Sequence, residues 1–153
     1  MYKRILVPLD GSPVAEAVLP QAQMLAECSG GEIILLSVIV HPHYDYYIPD
    51  PALAATVHNT EHEESKAYLE RMAAQLSAKG TPVRTELCEG RVAESILDYA
   101  DSMQADLIAM STHGRSGVGR WILGSVAEKV MRGAKVPILL VRPPHAGLDL
   151  FRL

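Results

Sequence analysis

Four stretches of this chain are apolar almost without a break: Lys3–Leu9, Glu32–Val40, Ala105–Met110 and Val136–Arg142. A strand that alternates apolar and polar residues has one wet face, whereas a strand apolar on both sides must be covered on both. A fifth stretch, Pro82–Cys88, alternates and reads as a more exposed strand. Between the strands lie helical patterns. Ser12 is a good N-cap, Pro13 suits the first helical position, and Val14, Val18, Ala22 and Leu25 then share a face until Gly30-Gly31 stops the helix. Glu61–Lys79 carries a stripe of Leu69, Met72 and Leu76 and ends at Gly80. After Gly90 comes a helix with Val92, Ile96 and either Tyr99 or Ala100 inward, ending near Met103; the last helix, Val126–Arg132, ends at Gly133. Alternating strands and helices of this kind predict an α/β domain: a five-stranded parallel sheet, helices on both faces and right-handed crossovers. Periodicity leaves the strand order open.

Length and charge narrow the function. The chain has 153 residues, the size of one domain, and 48% of them are apolar. A formal net charge of −4, no basic run interleaved with aromatics, and a single Phe and Trp argue against a nucleic-acid partner. No apolar stretch approaches the roughly 20 residues of a membrane span. Met1-Tyr-Lys-Arg-Ile leads straight into a strand and does not read as a secretory signal. Cys28 and Cys88 form no close pair; we expect two small, partly buried residues in a reduced, cytoplasmic protein.

The chemistry concentrates between Ser111 and Ser125, which hold four glycines, two arginines, three serines and a threonine. A glycine-rich link from a strand end to a helix start exposes backbone N–H groups, and the helix adds partial positive charge, so such a link can cradle phosphate. A plain surface turn is the competing reading. The loop is not a P-loop, because no lysine precedes Ser125, and the dinucleotide fingerprint fails after Gly117-Val-Gly119.

The stretch resembles the nucleotide loop of the universal stress protein family: Gly, two residues, Gly, nine residues, Gly, then Ser or Thr. The matching positions are Ser111, Gly114, Gly124 and Ser125, with Ser111 standing where the pattern has glycine. A serine there is a cost if the position needs positive φ or very close approach to the ligand, and none if only the N–H matters. Val7-Pro8-Leu9-Asp10-Gly11-Ser12 resembles the family's first nucleotide-contacting segment, and the likeness extends from Tyr2 to Arg142. The resemblance implies the strand order 3-2-1-4-5, which puts Asp10 and Ser111 at the topological switch point. It implies an adenine-nucleotide site, for ATP or AMP with Mg²⁺, made by Pro8, Leu9, Asp10, Val38, Met110, Ser111, Gly114, Arg115, Gly117, Gly124, Ser125 and Val126. Asp10 would lie against the nucleoside, and Val38 and Met110 would line the base or sugar pocket. Backbone N–H groups of Gly114, Arg115, Gly124 and Ser125 would hold phosphates. It further implies a homodimer through the fifth strand, a domain over residues 1–143, and a tail over 144–153.

Enzymatic machinery is scarce. No Gly-x-Ser-x-Gly elbow is present, and Glu61-His-Glu-Glu64 reads as the charged first turn of a helix rather than a zinc motif. His113 beside Gly114 reads as a loop-bonding residue, with no carboxylate partner nearby in sequence. His41, His43 and Asp45 invite a metal reading, but no further ligand follows at tight spacing, and His41–Asn59, rich in proline and tyrosine, reads as an irregular loop or lid. The tail, with Leu148, Leu150, Phe151 and Leu153, is too apolar to hang in water. Two function classes follow: a nucleotide-binding regulatory protein with slow or no ATP hydrolysis, or a nucleotide-free dimeric scaffold of the same fold.

Overall fold

The computed structural model describes residues 1–40, 48–114 and 123–143. Five parallel strands, β1 (Arg4–Pro8), β2 (Glu32–Ile39), β3 (Val83–Glu89), β4 (Leu107–Ser111) and β5 (Ile138–Val141), form one sheet in the order β3-β2-β1-β4-β5. The expected order therefore holds. β1 lies at the centre, with Ile5 opposite Ile33 on one side and Leu107 on the other. Successive side chains on a strand point to opposite faces, so each central strand feeds two cores. On one face Ile5, Val7, Ile33, Leu35 and Leu107 pack with Ala22, Ala26, Leu69, Met72 and Leu76. On the other, Leu6, Ile34, Leu36, Ile108 and Met110 pack with Ala93, Ile96, Ala100, Ala127 and Val130.

The helices on the first face are α2 (Leu19–Ser29) and α3 (Pro51–Ser77); those on the second are α4 (Val92–Ser102) and α5 (Ser125–Gly133). A short α1 (Pro13–Glu16) precedes α2. Two expectations are corrected here. The helix expected from Ser12 to Gly30 is two helices, because Pro20 has no N–H for the carbonyl of Glu16 and its ring would collide with that carbonyl in a continuous helix. The loop expected over 41–59 ends at Asp50: its side chain accepts from the Ala52 N–H at 2.9 Å, Pro51 occupies the first turn, and α3 runs 27 residues from there. Only the second half of α3, from Tyr68 to Leu76, is buried in the core; its first half extends past the C-terminal ends of the strands.

The choice on α4 falls to Ala100, which is buried; Tyr99 lies half out, its pKa raised to about 12 by burial and by a hydrogen bond with Glu86. Cys88 is half-buried, as expected, and burial raises its thiol pKa; Cys28 is exposed, against expectation. Both are free thiols. The tail, and with it the 144–153 boundary, lies outside the described residues, as do His41, His43, Asp45, Tyr44, Tyr46 and Tyr47. No described helix is long and apolar enough to cross a membrane.

Candidate functional site

β1 and β4 are neighbours, and the chain leaves them toward opposite faces of the sheet, to α1 on one side and α5 on the other. That divergence opens a crevice beyond the strand ends, where ligands bind in open α/β sheets. Here it is a cavity of about 1300 Å³. Its lining includes nine of the expected residues directly: Pro8, Leu9, Asp10, Val38, Met110, Ser111, Gly114, Gly124 and Ser125; Val126 makes a tenth. Arg115 and Gly117 lie outside the described residues.

On the β1 side, the Leu9 N–H still donates to the Leu36 carbonyl at 2.8 Å, and the sheet releases the chain at Asp10. Gly11 turns with φ of 82°, a conformation that suits glycine. Asp10 Oδ1 accepts from the Ser12 N–H at 2.9 Å and from Ser12 Oγ at 2.6 Å; Ser12 Oγ in turn accepts from the Ala15 N–H, capping α1. Asp10 fixes the turn and stands in the cavity wall. A Cβ on Gly114 would overlap Asp10 Oδ2, so the glycine is what lets the β4 loop close on the carboxylate.

On the β4 side, Ser111 is the last strand residue, buried and paired with Val141. Among the described non-glycine residues only Gln104 has positive φ, so the serine at the pattern's first position carries no backbone strain. The loop closes at its base, where the Gly124 N–H donates to the Thr112 carbonyl at 2.9 Å. That bond corrects one expectation: Gly124 lines the cavity, but its N–H is already used. The described wall also offers the N–H groups of Ser125, Val126 and Ala127, which a first helical turn cannot satisfy internally. Helix α5 has no side-chain cap, whereas Ser12 caps α1 and Asp50 caps α3. Its N-terminal turn lines the cavity. His113 Nδ1 lies 3.0 Å from Thr112 Oγ1, which fits the loop-bonding role expected of it.

The third wall was not foreseen. Val57, Glu61, Glu64, Ser65, Tyr68 and Arg71 of α3 line the same cavity. Spacings of three and four residues put most of them on one helical stripe. The signal was present in Asp50-Pro51, an N-cap followed by proline, inside a segment read as loop. Tyr68 is buried; its hydroxyl donates to Glu16 Oε1 at 3.0 Å, and the Arg71 guanidinium carbon lies 5.8 Å from its ring centroid. Burial, then the negative charge of Glu16 and its hydrogen bond, then Asp10, raise the Tyr68 pKa, so the phenol stays protonated as a donor. His58 on α3 ties the projecting half to the tip of β3, with Nε2 at 3.1 Å from Glu89 Oε1. Among the described residues no group of three or more His, Cys, Asp or Glu could hold a metal ion.

A family model described as the universal stress protein family matches residues 1–142. The chain belongs to that family. Universal stress protein MJ0531 of Methanocaldococcus jannaschii is 32% identical over 94% of this chain and 84% of its own length. The solved structure of MJ0577, from the same organism, superimposes with a TM-score of 0.86 at 30% identity, covering 95% of this chain and 99% of that one. Two family structures share the fold at lower identity. One, described as a complex with cAMP, has a TM-score of 0.66 and 23% identity over 94% of this chain and 98% of its own. The other, from Archaeoglobus fulgidus and described as a complex with dAMP, has a TM-score of 0.64 and 22% identity over 91% of this chain and 97% of its own.

Proposed function

We propose that this universal stress protein binds an adenine nucleotide in the crevice beyond β1 and β4, and acts by binding rather than by turnover. The observation that carries the reading is the convergence of two features in one cavity: the uncapped N-terminal turn of α5, a donor surface for phosphate, and the Asp10 carboxylate, an acceptor for nucleoside hydroxyls. Val38 and Met110 supply apolar wall for the base or sugar. Family members solved with cAMP and dAMP support the same ligand class. Mg²⁺ would arrive on the phosphates and keep most of its waters, with the Asp10 carboxylate beside Gly114 at hand, as suits an ion that binds through one or two carboxylates plus ligand phosphate.

Hydrolysis on this reading is slow or absent, since fast phosphoryl transfer needs an organised base and metal ligands. The protein's role is regulatory, in the cytoplasm, and its assembly a homodimer through β5. That strand is a sheet edge of half-buried Ile138, Leu139, Leu140 and Val141, which a second copy would pair and cover. The domain is taken as 1–143, with 144–153 an appended tail.

Mass spectrometry of the denatured purified protein should release an adenine nucleotide, and titration calorimetry of the stripped protein should recover its binding. If the stripped protein gives no heat with ATP, ADP or AMP, the nucleotide-free scaffold is the better account. Turnover in the range of about 1–100 per second would refute the regulatory reading. Light scattering should give twice the chain mass, and Leu139→Lys should split or precipitate the dimer; a single-chain mass for the parent protein refutes it.

A further inference from the structure

The α3 wall brings a full positive charge, Arg71, to the cavity. Apart from Arg71, the described ionisable side chains lining the cavity are Asp10, Glu61, Glu64, Tyr68 and His113. Arg71 is the one lysine or arginine among the described lining residues, in a cavity that holds three carboxylates. A polyphosphate grows more anionic with each phosphate, while backbone N–H groups offer only fractional positive charge, about half an elementary charge at a helix end.

Arg71 is placed to meet such an anion. Its side chain is exposed, and a helical Cβ tilts toward the helix N-terminus, which for α3 is the cavity end. Among the described residues the ion pairs His58–Glu89, Arg84–Glu32, Arg132–Glu128 and Lys135–Asp101 lie elsewhere. What holds the Arg71 guanidinium is the face of Tyr68, itself buried and anchored to Glu16. An aromatic face steadies a guanidinium without consuming its five N–H donors, which remain available for a planar, bidentate acceptor. Gly114 lies against Asp10 and Arg71 lies over Tyr68, and all four line the one cavity.

We propose that Arg71, carried on Tyr68, is a specificity-determining residue that contacts the distal phosphates and makes the site favour tri- over monophosphates. The proposal rests on nucleotide binding at this cavity and adds which charge selects among nucleotides.

The test is calorimetric titration of the full-length, nucleotide-stripped protein and of Arg71→Gln with ATP, ADP and AMP, at two salt concentrations. Loss of one charge-assisted contact should weaken ATP about tenfold and AMP less than about threefold, so the ATP-to-AMP preference falls. The salt dependence of ATP binding should flatten as well. Arg71→Lys, which keeps the charge and loses the fork, should recover part of the preference. Because Arg71 is exposed, the variant should keep the parent's melting temperature without ligand. Equal weakening of ATP and AMP, or an unchanged ratio, overturns the assignment to phosphate while leaving nucleotide binding intact. A parent protein that binds none of the three overturns both.

Discussion

Gly114→Ala tests the closest approach in the site. The new Cβ would overlap Asp10 Oδ2 and lie 3.5 Å from its Cγ. Two ways of relieving the overlap exist, and each has a cost. If the carboxylate rotates, Oδ1 loses its alignment with the Ser12 N–H and Oγ, at 2.9 and 2.6 Å, and with it the support of the α1 cap. Hydrogen bonds to a charged group are worth about 1.5–3 kcal/mol each, and an off-rotamer side chain costs about 0.5–1.5 kcal/mol. If the loop retreats instead, it moves a backbone fixed at its base by the Gly124–Thr112 bond. Partial relaxation along both routes leaves about 1–2 kcal/mol, which for a chain of this length lowers the melting temperature by about 2–8 °C. Adenine-nucleotide affinity should fall about tenfold or more, since the nucleoside acceptor is displaced. Differential scanning calorimetry and titration calorimetry read the two effects. A double-mutant cycle isolates the cause: in an Asp10→Ala background the carboxylate is gone, and Gly114→Ala should then cost almost nothing in stability. Additive effects of the two substitutions would refute the steric reasoning.

Other perturbations probe the frame around the site. Gly31→Ala should destabilise by about 1–3 kcal/mol in urea titration, because its Cβ would meet the backbone carbonyls of Tyr2 and Lys3; a midpoint unchanged from the parent would contradict the packing at the start of β1. Asp50→Ala removes the cap of α3 and should cost about 1 kcal/mol, with increased amide exchange confined to the first turns of the helix. Leu69→Ala, deep in the first core, should cost about 2–5 kcal/mol by the same urea assay. Asp106 Oδ2 accepts from the Arg4 and Lys3 N–H groups at 2.8 and 2.9 Å, and the Arg4 bond leads the causes that lower its pKa. A depressed carboxylate stabilises the fold fully above its unfolded value of about 4 and loses that contribution as pH falls through the folded value. Asp106→Asn should therefore lower stability at neutral pH and flatten its decline in acid; an acid profile parallel to the parent's would exclude this residue.

The strands were legible because their apolar runs have one explanation, a sheet covered on both faces, and Ile5, Ile33, Ile34 and Ile108 are indeed fully buried. Their order was not in the periodicity; it came from the resemblance, carried by Gly114, Gly124 and Ser125. The start of α3, from Pro51 to Thr60, was missed because hydrophobic spacing reports burial, and that stretch has no core to face. Its capping residues were readable and were outweighed by the Pro- and Tyr-rich segment before them. The break between α1 and α2 was likewise written in Pro20, inside an otherwise regular apolar pattern. Ser111 departs from the spacing rule as a letter, while its backbone is ordinary strand with no positive φ.

Helix α3 is a stiff rod about 40 Å long at 1.5 Å per residue, with its lower half packed on the sheet beside α2 and its upper half free of the core. Such a rod is a lever, and its fulcrum is the stretch from Leu69 to Leu76. If the helix turns as one body, whatever settles against Val57 and Glu61 at one end shifts Met72 and Leu76 and the turn that leads into β3. Occupancy of the crevice is then readable at a surface that never touches the ligand: amide exchange from Ser77 to Thr81 should slow when nucleotide is bound, and a rate there indifferent to nucleotide would mean that the rod bends instead of turning.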